Sequence, residues 1–243
     1  MTGESLRSSG RIFINAMRSA YEHLGMVLYT SLVWFALAFM PATFSISFAR
    51  QAPCLLTFLV AFLAIAFLAA PMTVAVCSVA QALLNGEEPG MRELWRRFRT
   101  HYWPTVKASS TMLAVLVVLV IDIIFFLSSG RRIVQWIAVP WLYLLLYWLL
   151  MTLYVAPLIA REHVSLLSLL KRTALLVLDN LVVTIALLLE VLLIIFLCWL
   201  LQFPVFILQG GLLALLLVTA LGEVLQKYEK TVSEELEDEP EEV

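Results

Sequence analysis

The sequence predicts an all-α integral membrane protein: a bundle of six transmembrane helices with amphipathic helices on its cytoplasmic side. Three observations carry that expectation. Hydrophobic residues make up 62% of the 243 positions and charged residues only 14%, where soluble domains average about 45–50% and about 25%. Mean hydropathy is +0.95. The apolar residues also arrive in long blocks over almost the whole chain. Together these exclude a soluble enzyme and a nucleic-acid-binding domain.

Residues 1–23 read as a cytoplasmic amphipathic segment. Phe13, Met17, Ala20, Tyr21 and Leu24 form one helical face, and Arg11, Asn15, Arg18 and Glu22 form another. A hydrocarbon core about 30 Å thick needs about 20 apolar residues of helix. Six stretches within 24–226 qualify: 24–48, 55–84, 107–127, 133–159, 181–202 and 205–225. The first is too long for the apolar part of a signal peptide and no small-residue cleavage site follows it, so it is expected to stay in the mature protein.

The second span is rich in small residues, among them Ala61, Ala64, Ala66, Ala69, Ala70, Thr73, Ala75 and Ser78. Small side chains let helix backbones approach closely in a membrane, which predicts a central position, with a bend at Pro71. Next comes a basic amphipathic helix. Met91, Leu94, Trp95, Phe98 and Tyr102 follow helical spacing, with Arg92, Arg96, Arg97 and Arg99 read as lying opposite. A third such segment, 164–178, shows a weaker polar stripe of Ser165, Ser168, Arg172 and Asp179.

Gln202-Phe203-Pro204 is the only turn signal between the fifth and sixth spans, and the helix is expected to break there. The sixth span, leucine-rich over 211–225, is expected to face lipid. Trp34, Trp136, Trp141 and Trp199 are placed in the outer halves of their spans, where indoles favour the interface. The acidic segment 227–243 is expected to be a disordered tail.

Orientation follows from Lys and Arg in the connections. Thirteen fall on the side of the termini, against three on the other: Arg50, Arg131 and Arg132. Both termini are therefore expected in the cytoplasm, with the protein multi-pass in the cell membrane. The unit of interfacial helix, span out and span back occurs three times. Ala70-Pro71-Met72 and Ala156-Pro157-Leu158 hold similar places in two of the units, although positive-inside hairpins look alike without common descent.

Catalytic motifs are absent: no phosphate-binding glycine loop, no HExxH and no GxSxG. No metal or cofactor is expected, and Cys54, Cys77 and Cys198 read as packing residues. Nucleic acid is not expected as a partner, because the spacing 95–99 is read as putting aromatics opposite arginines. Two carboxylates lie within spans, Asp122 and Glu190. A charge at such depth costs at least about 2.5–3.5 kcal/mol on insertion scales, which favours a protonated acid. Thr111, Asp122 and Ser129 share a helical face, expected to point inward, with Asp122 within snorkelling reach of Arg131 or Arg132. Two readings stay open: a proton or polar-substrate site formed by Asp122, Glu190 and Thr111, or protonated acids acting as packing contacts.

Ala70-Pro71-Met72-Thr73-Val74-Ala75, Leu83-Leu84-Asn85-Gly86-Glu87-Glu88 and Leu94-Trp95-Arg96-Arg97-Phe98-Arg99, followed by Tyr102-Trp103, resemble the YesL-like family of bacterial multi-pass membrane proteins of unknown function. The match covers about 70–107, with Ala70 where that family usually has glycine. The resemblance implies an accessory membrane component associated with carbohydrate uptake, and singles out Pro71 and the helix 91–102.

The function expected is therefore non-enzymatic: an accessory or interaction component linked to solute transport. Its basic helix (Arg92, Trp95, Arg96, Arg97, Arg99) would touch lipid or a partner. The partners expected are the bilayer and either a transporter subunit or a second copy of the chain. The alternative is a small proton-coupled secondary transporter using Asp122 and Glu190.

Overall fold

Ala61, Ala66, Ala75 and Ala80 are all buried, and the second span that carries them is the hub of the bundle. In the computed structural model its C-terminal half, Ala70–Leu84, packs against the first, third, fourth and sixth spans. The structure describes residues 12 and 14–237, except 52–54, 130–134, 163–164 and 202. Every regular element among the described residues is helical. Six helices are long and apolar enough to cross a membrane: Leu24–Phe48, Thr57–Leu84, Met91–Ser128, Ala138–Arg161, Leu181–Cys198 and Leu208–Gln226. This is a multi-pass membrane protein.

The second span ends in a tight C-terminal cap. Gly86 takes φ +78°, the Gly86 amide donates to the Leu83 carbonyl and the Glu87 amide to that of Ala82. This paired closure needs a left-handed residue, which glycine supplies without a Cβ penalty. Four more residues bring the chain to the next helix, which doubles back along the second span. That helix is continuous from Met91 to Ser128, about 57 Å at 1.5 Å per residue. The basic segment expected as a separate interfacial helix is thus the first third of the third spanning helix. Pro104 lies inside it, and the neighbouring Thr105 hydroxyl bonds back to the His101 carbonyl at 2.7 Å.

Both spans of the first hairpin contain a π turn, Phe35–Phe39 and Ile65–Ala69, and the two turns pack against each other. Each ends two residues before a proline, in Met40-Pro41-Ala42-Thr43 and Ala70-Pro71-Met72-Thr73. The wider turn relieves the clash between a proline ring and the preceding turn of helix. In the π register the residue at 71 would donate to the Ala66 carbonyl, but proline has no N–H. The Ser109 hydroxyl of the third helix donates to that carbonyl instead, at 3.0 Å. Thr73 and Thr43 donate likewise to the carbonyls of Ala69 and Phe39, both at 2.8 Å. Ser109→Ala is expected to cost about 1–3 kcal/mol by stranding this carbonyl, against under about 0.5 kcal/mol for Ser110→Ala. Thermal unfolding in detergent measures the difference.

One expectation about packing is corrected. The sixth span does not face lipid; it is the most buried of the six. Gly210, Gly211, Ala214 and Ala220 are buried there, and they admit the first span at close range. A Cβ on Gly211 would lie 2.5 Å from Ser31 Oγ, and one on Gly210 2.8 Å from the Trp34 ring. Trp34 is half-buried at this contact, and its indole N–H donates to Thr73 Oγ1 at 2.9 Å. Trp136 is exposed and Trp141 stacks on Phe126, while the Trp199 side chain lies outside the described residues.

At the N-terminus the inward face is Ile12, Ala16 and Ala20, which are buried, whereas Met17, Tyr21 and Leu24 are exposed. The helix of the third connection runs Leu166–Asp179, with Ser165 accepting the Ser168 amide as its cap. It buries Leu169, Thr173, Leu176 and Val177 beside the fourth span. The fifth helix ends at Leu201 and the next starts at Phe203; Gln202, where the break was expected, lies outside the described residues. Pro204 falls in the first turn of the new helix, where its missing N–H is harmless. That helix runs on to Glu237, eleven residues past the boundary at 226; 238–243 lie outside the described residues.

Candidate functional site

Of the basic residues in the 91–107 stretch, Arg97 is turned inward. One Nη donates to the Ser78 carbonyl at 2.7 Å and to Ser78 Oγ at 3.0 Å. Its Nε donates to Glu93 at 2.8 Å and its other Nη to Glu87 at 3.3 Å. A guanidinium suits this task because its planar fork serves several acceptors at once. The arrangement ties the start of the third helix to the second span and to the turn between them. Arg97 was expected among the lipid- or partner-contacting residues; the structure makes it a clamp, and its side chain is only 23% exposed.

With Arg97 inward, the opposite face carries Arg92, Arg96 and Arg99, all exposed. Trp95 is 43% and Trp103 65% exposed, and both share that face. The expectation that the aromatics oppose the arginines is therefore corrected. Only Phe98 and Tyr102 turn toward the bundle, half-buried. The reason is the 100° step per residue: it puts 92, 95, 96, 99 and 103 on one side and sends 94, 97 and 101 to the other. The rings form a connected row, Trp95–Phe98 at 6.0 Å, Phe98–Tyr102 at 5.5 Å and Tyr102–Trp103 at 5.6 Å between centroids.

Glu93 joins the clamp, accepting from Arg96 at 2.6 Å as well as from Arg97. Desolvation pushes its carboxyl up, but the hydrogen bonds and charges of Arg96 and Arg97 together outweigh this and hold it below its ordinary value. A carboxyl lowered on folding stabilises the fold above the ordinary carboxylate range and loses that contribution as pH falls through the folded value. Acid titration of unfolding is expected to show this loss in the native chain and not in Glu93→Gln. Equal acid sensitivity of the two would remove Glu93 from the clamp.

The intramembrane acids are placed differently. The third helix packs on the second and fourth spans, whereas the fifth packs mainly on the sixth. Asp122 and Glu190 thus belong to different packing neighbourhoods, with the fourth span touching both helices. The buried face of the third helix is Leu94, His101, Thr105, Ala108, Met112, Leu119 and Ile123. Thr111, Asp122 and Ser129 are half-buried on its flank and do not point inward. Thr111 Oγ1 donates to the Lys107 carbonyl of its own helix at 2.9 Å. Glu190 is half-buried beside Leu187 and Ile194, with Oε2 shielded from solvent. Arg131 and Arg132 lie outside the described residues. No group of three metal-ligating side chains occurs among the described residues.

The polar contacts deepest in the bundle involve residues that sequence reasoning passed over. Ser31 Oγ accepts the Gly211 amide at 2.7 Å, and Tyr154 shares a 3.0 Å hydrogen bond with Thr184. The matching Pro-x-Thr strings at 41–43 and 71–73 were the signal available for the paired π turns. No family model matches the chain, and neither a curated protein nor a solved structure matches it.

Proposed function

We propose that this chain is a non-enzymatic, multi-pass component of the cell membrane with both termini cytoplasmic. Its role is that of an accessory or interaction subunit linked to solute transport. Carbohydrate uptake is the process that the resemblance to YesL-like proteins implies. The observation that carries the reading is the basic end of the third helix: Arg97 holds it rigidly on the second span, so that Arg92, Trp95, Arg96 and Arg99 face outward together. A fixed, charged and aromatic face on a membrane-anchored helix suits contact with another membrane subunit, since recognition gains when the contact residues are held in place beforehand.

The separate packing of Asp122 and Glu190 supports this reading over a proton-coupled transporter, which would need polar groups converging near the middle of the membrane. Replacing Arg92, Arg96 and Arg99 together by serine, with Arg97 kept, is expected to release the partner subunit on gentle isolation from native membranes while lowering stability by no more than about 1 kcal/mol, the scale of the exposed Arg96–Glu93 pair. Association unchanged in that variant would take the face out of the contact. Proton-linked uptake by the isolated protein, abolished in Glu190→Gln, would replace this function with the transporter one.

A further inference from the structure

The exposed face of the third helix borders a shallow groove of about 480 Å3, lined by Phe67, Leu68, Phe98, Arg99, Tyr102 and Trp103. That size lies within the roughly 300–1,000 Å3 of small-molecule sites. Two chemistries meet along it. Phe67 and Leu68 belong to the second π turn, in the interior of a spanning helix, so this end of the groove is apolar and within the membrane. Arg99 stands at the other end, exposed. Arg96 and Arg97 are engaged by Glu93 and Glu87, but among the described residues no carboxylate pairs with Arg99. Tyr102 and Trp103 lie between, and these residue types favour the boundary between headgroups and acyl chains.

We propose that this groove holds one anionic phospholipid, its phosphate on the Arg99 guanidinium and an acyl chain along Phe67 and Leu68. A guanidinium binds phosphate through paired hydrogen bonds, and it has no competing acid here. A soluble anion would leave the apolar half unused, and a zwitterionic lipid would bring a second cation up against Arg99. The inference rests on the outward face described above and specifies what occupies its edge. It also gives the exposed Trp103 a role, as the wall one helical turn, about 6 Å, beyond Arg99.

The test uses the purified full-length protein in nanodiscs, with no other protein present, so its result is independent of whether a partner subunit exists. Bromine on lipid chains quenches nearby indoles, and subtracting the signal of Trp103→Phe isolates the Trp103 contribution. Brominated phosphatidylglycerol is expected to quench Trp103 at about a fivefold lower mole fraction than brominated phosphatidylcholine, the effect of one basic residue near an anionic headgroup. Arg99→Gln, a change at an exposed side chain, is expected to erase that preference. Equal quenching by the two lipids, or a preference that survives Arg99→Gln, overturns the proposal. Full displacement of phosphatidylglycerol by soluble glycerol phosphate also overturns it, because the site would then recognise the phosphate alone.

Discussion

Arg97→Met is expected to lower stability by about 2–3 kcal/mol, the scale of hydrogen bonds to a charged group lost from a part-buried site. The variant loses the bonds to the Ser78 carbonyl and hydroxyl and deprives both Glu93 and Glu87 of a partner. Arg97→Lys is expected to recover only part of the loss, because one ammonium cannot span a main-chain carbonyl and two carboxylates as the guanidinium does. Arg96→Gln serves as the comparison. Its side chain is 75% exposed, and an exposed pair contributes at most about 1 kcal/mol. Thermal unfolding of the three variants in one detergent separates these outcomes. Equal effects at 96 and 97 would mean that the inward turn of Arg97 does not hold the helix.

Gly211→Val is the second large effect, because the new side chain has nowhere to go. Its Cβ would meet Ser31 Oγ at 2.5 Å and the Val27 carbonyl oxygen at 2.9 Å. The serine hydroxyl can rotate but the backbone carbonyl cannot, so the first and sixth spans must separate. That also breaks the bond from the Gly211 amide to Ser31. A loss of at least about 3 kcal/mol is expected, the upper end for overpacking, with a drop in the yield of folded protein. Gly222→Ala is the control, since nothing lies within 4 Å of the Cβ it would add, and it should be neutral or slightly stabilising. Similar behaviour of the two variants would contradict the close approach of the sixth span to the first.

The spanning helices were legible because hydropathy and length are local properties, and six runs of sufficient length have one physical outcome in a bilayer. What lay beyond them depended on position within the helix. Counting leucines sent the sixth span to the lipid, yet Gly210, Gly211 and Ala214 set its packing. Leu215, Leu216 and Leu221 are buried as a consequence. Trp34 was read by its residue type, which does not reveal the bond from its indole to the Thr73 hydroxyl across the hairpin. Arg97 was grouped with its neighbours by charge, when its helical phase points it at Ser78.

The candidate site was legible in its segment and not in its facing. The basic and aromatic residues of 91–103 stood out at once. Which of them turned outward depended on the cap at Gly86 and the short turn after it, which fix how the third helix starts against the second. Asp122 and Glu190 stood out for cost alone, and no local pattern tells which helix each faces.

The central claim is that the outward face of the basic helix meets another membrane protein. The most direct measurement places a photo-crosslinking phenylalanine derivative at position 96 in cells and, as the control, at position 124, which is exposed along the spanning part of the same helix. The account predicts a crosslink from position 96 to one transport subunit at near-stoichiometric yield and none from position 124. Crosslinks from position 96 to lipid alone, or only to a second copy of this chain, would contradict it.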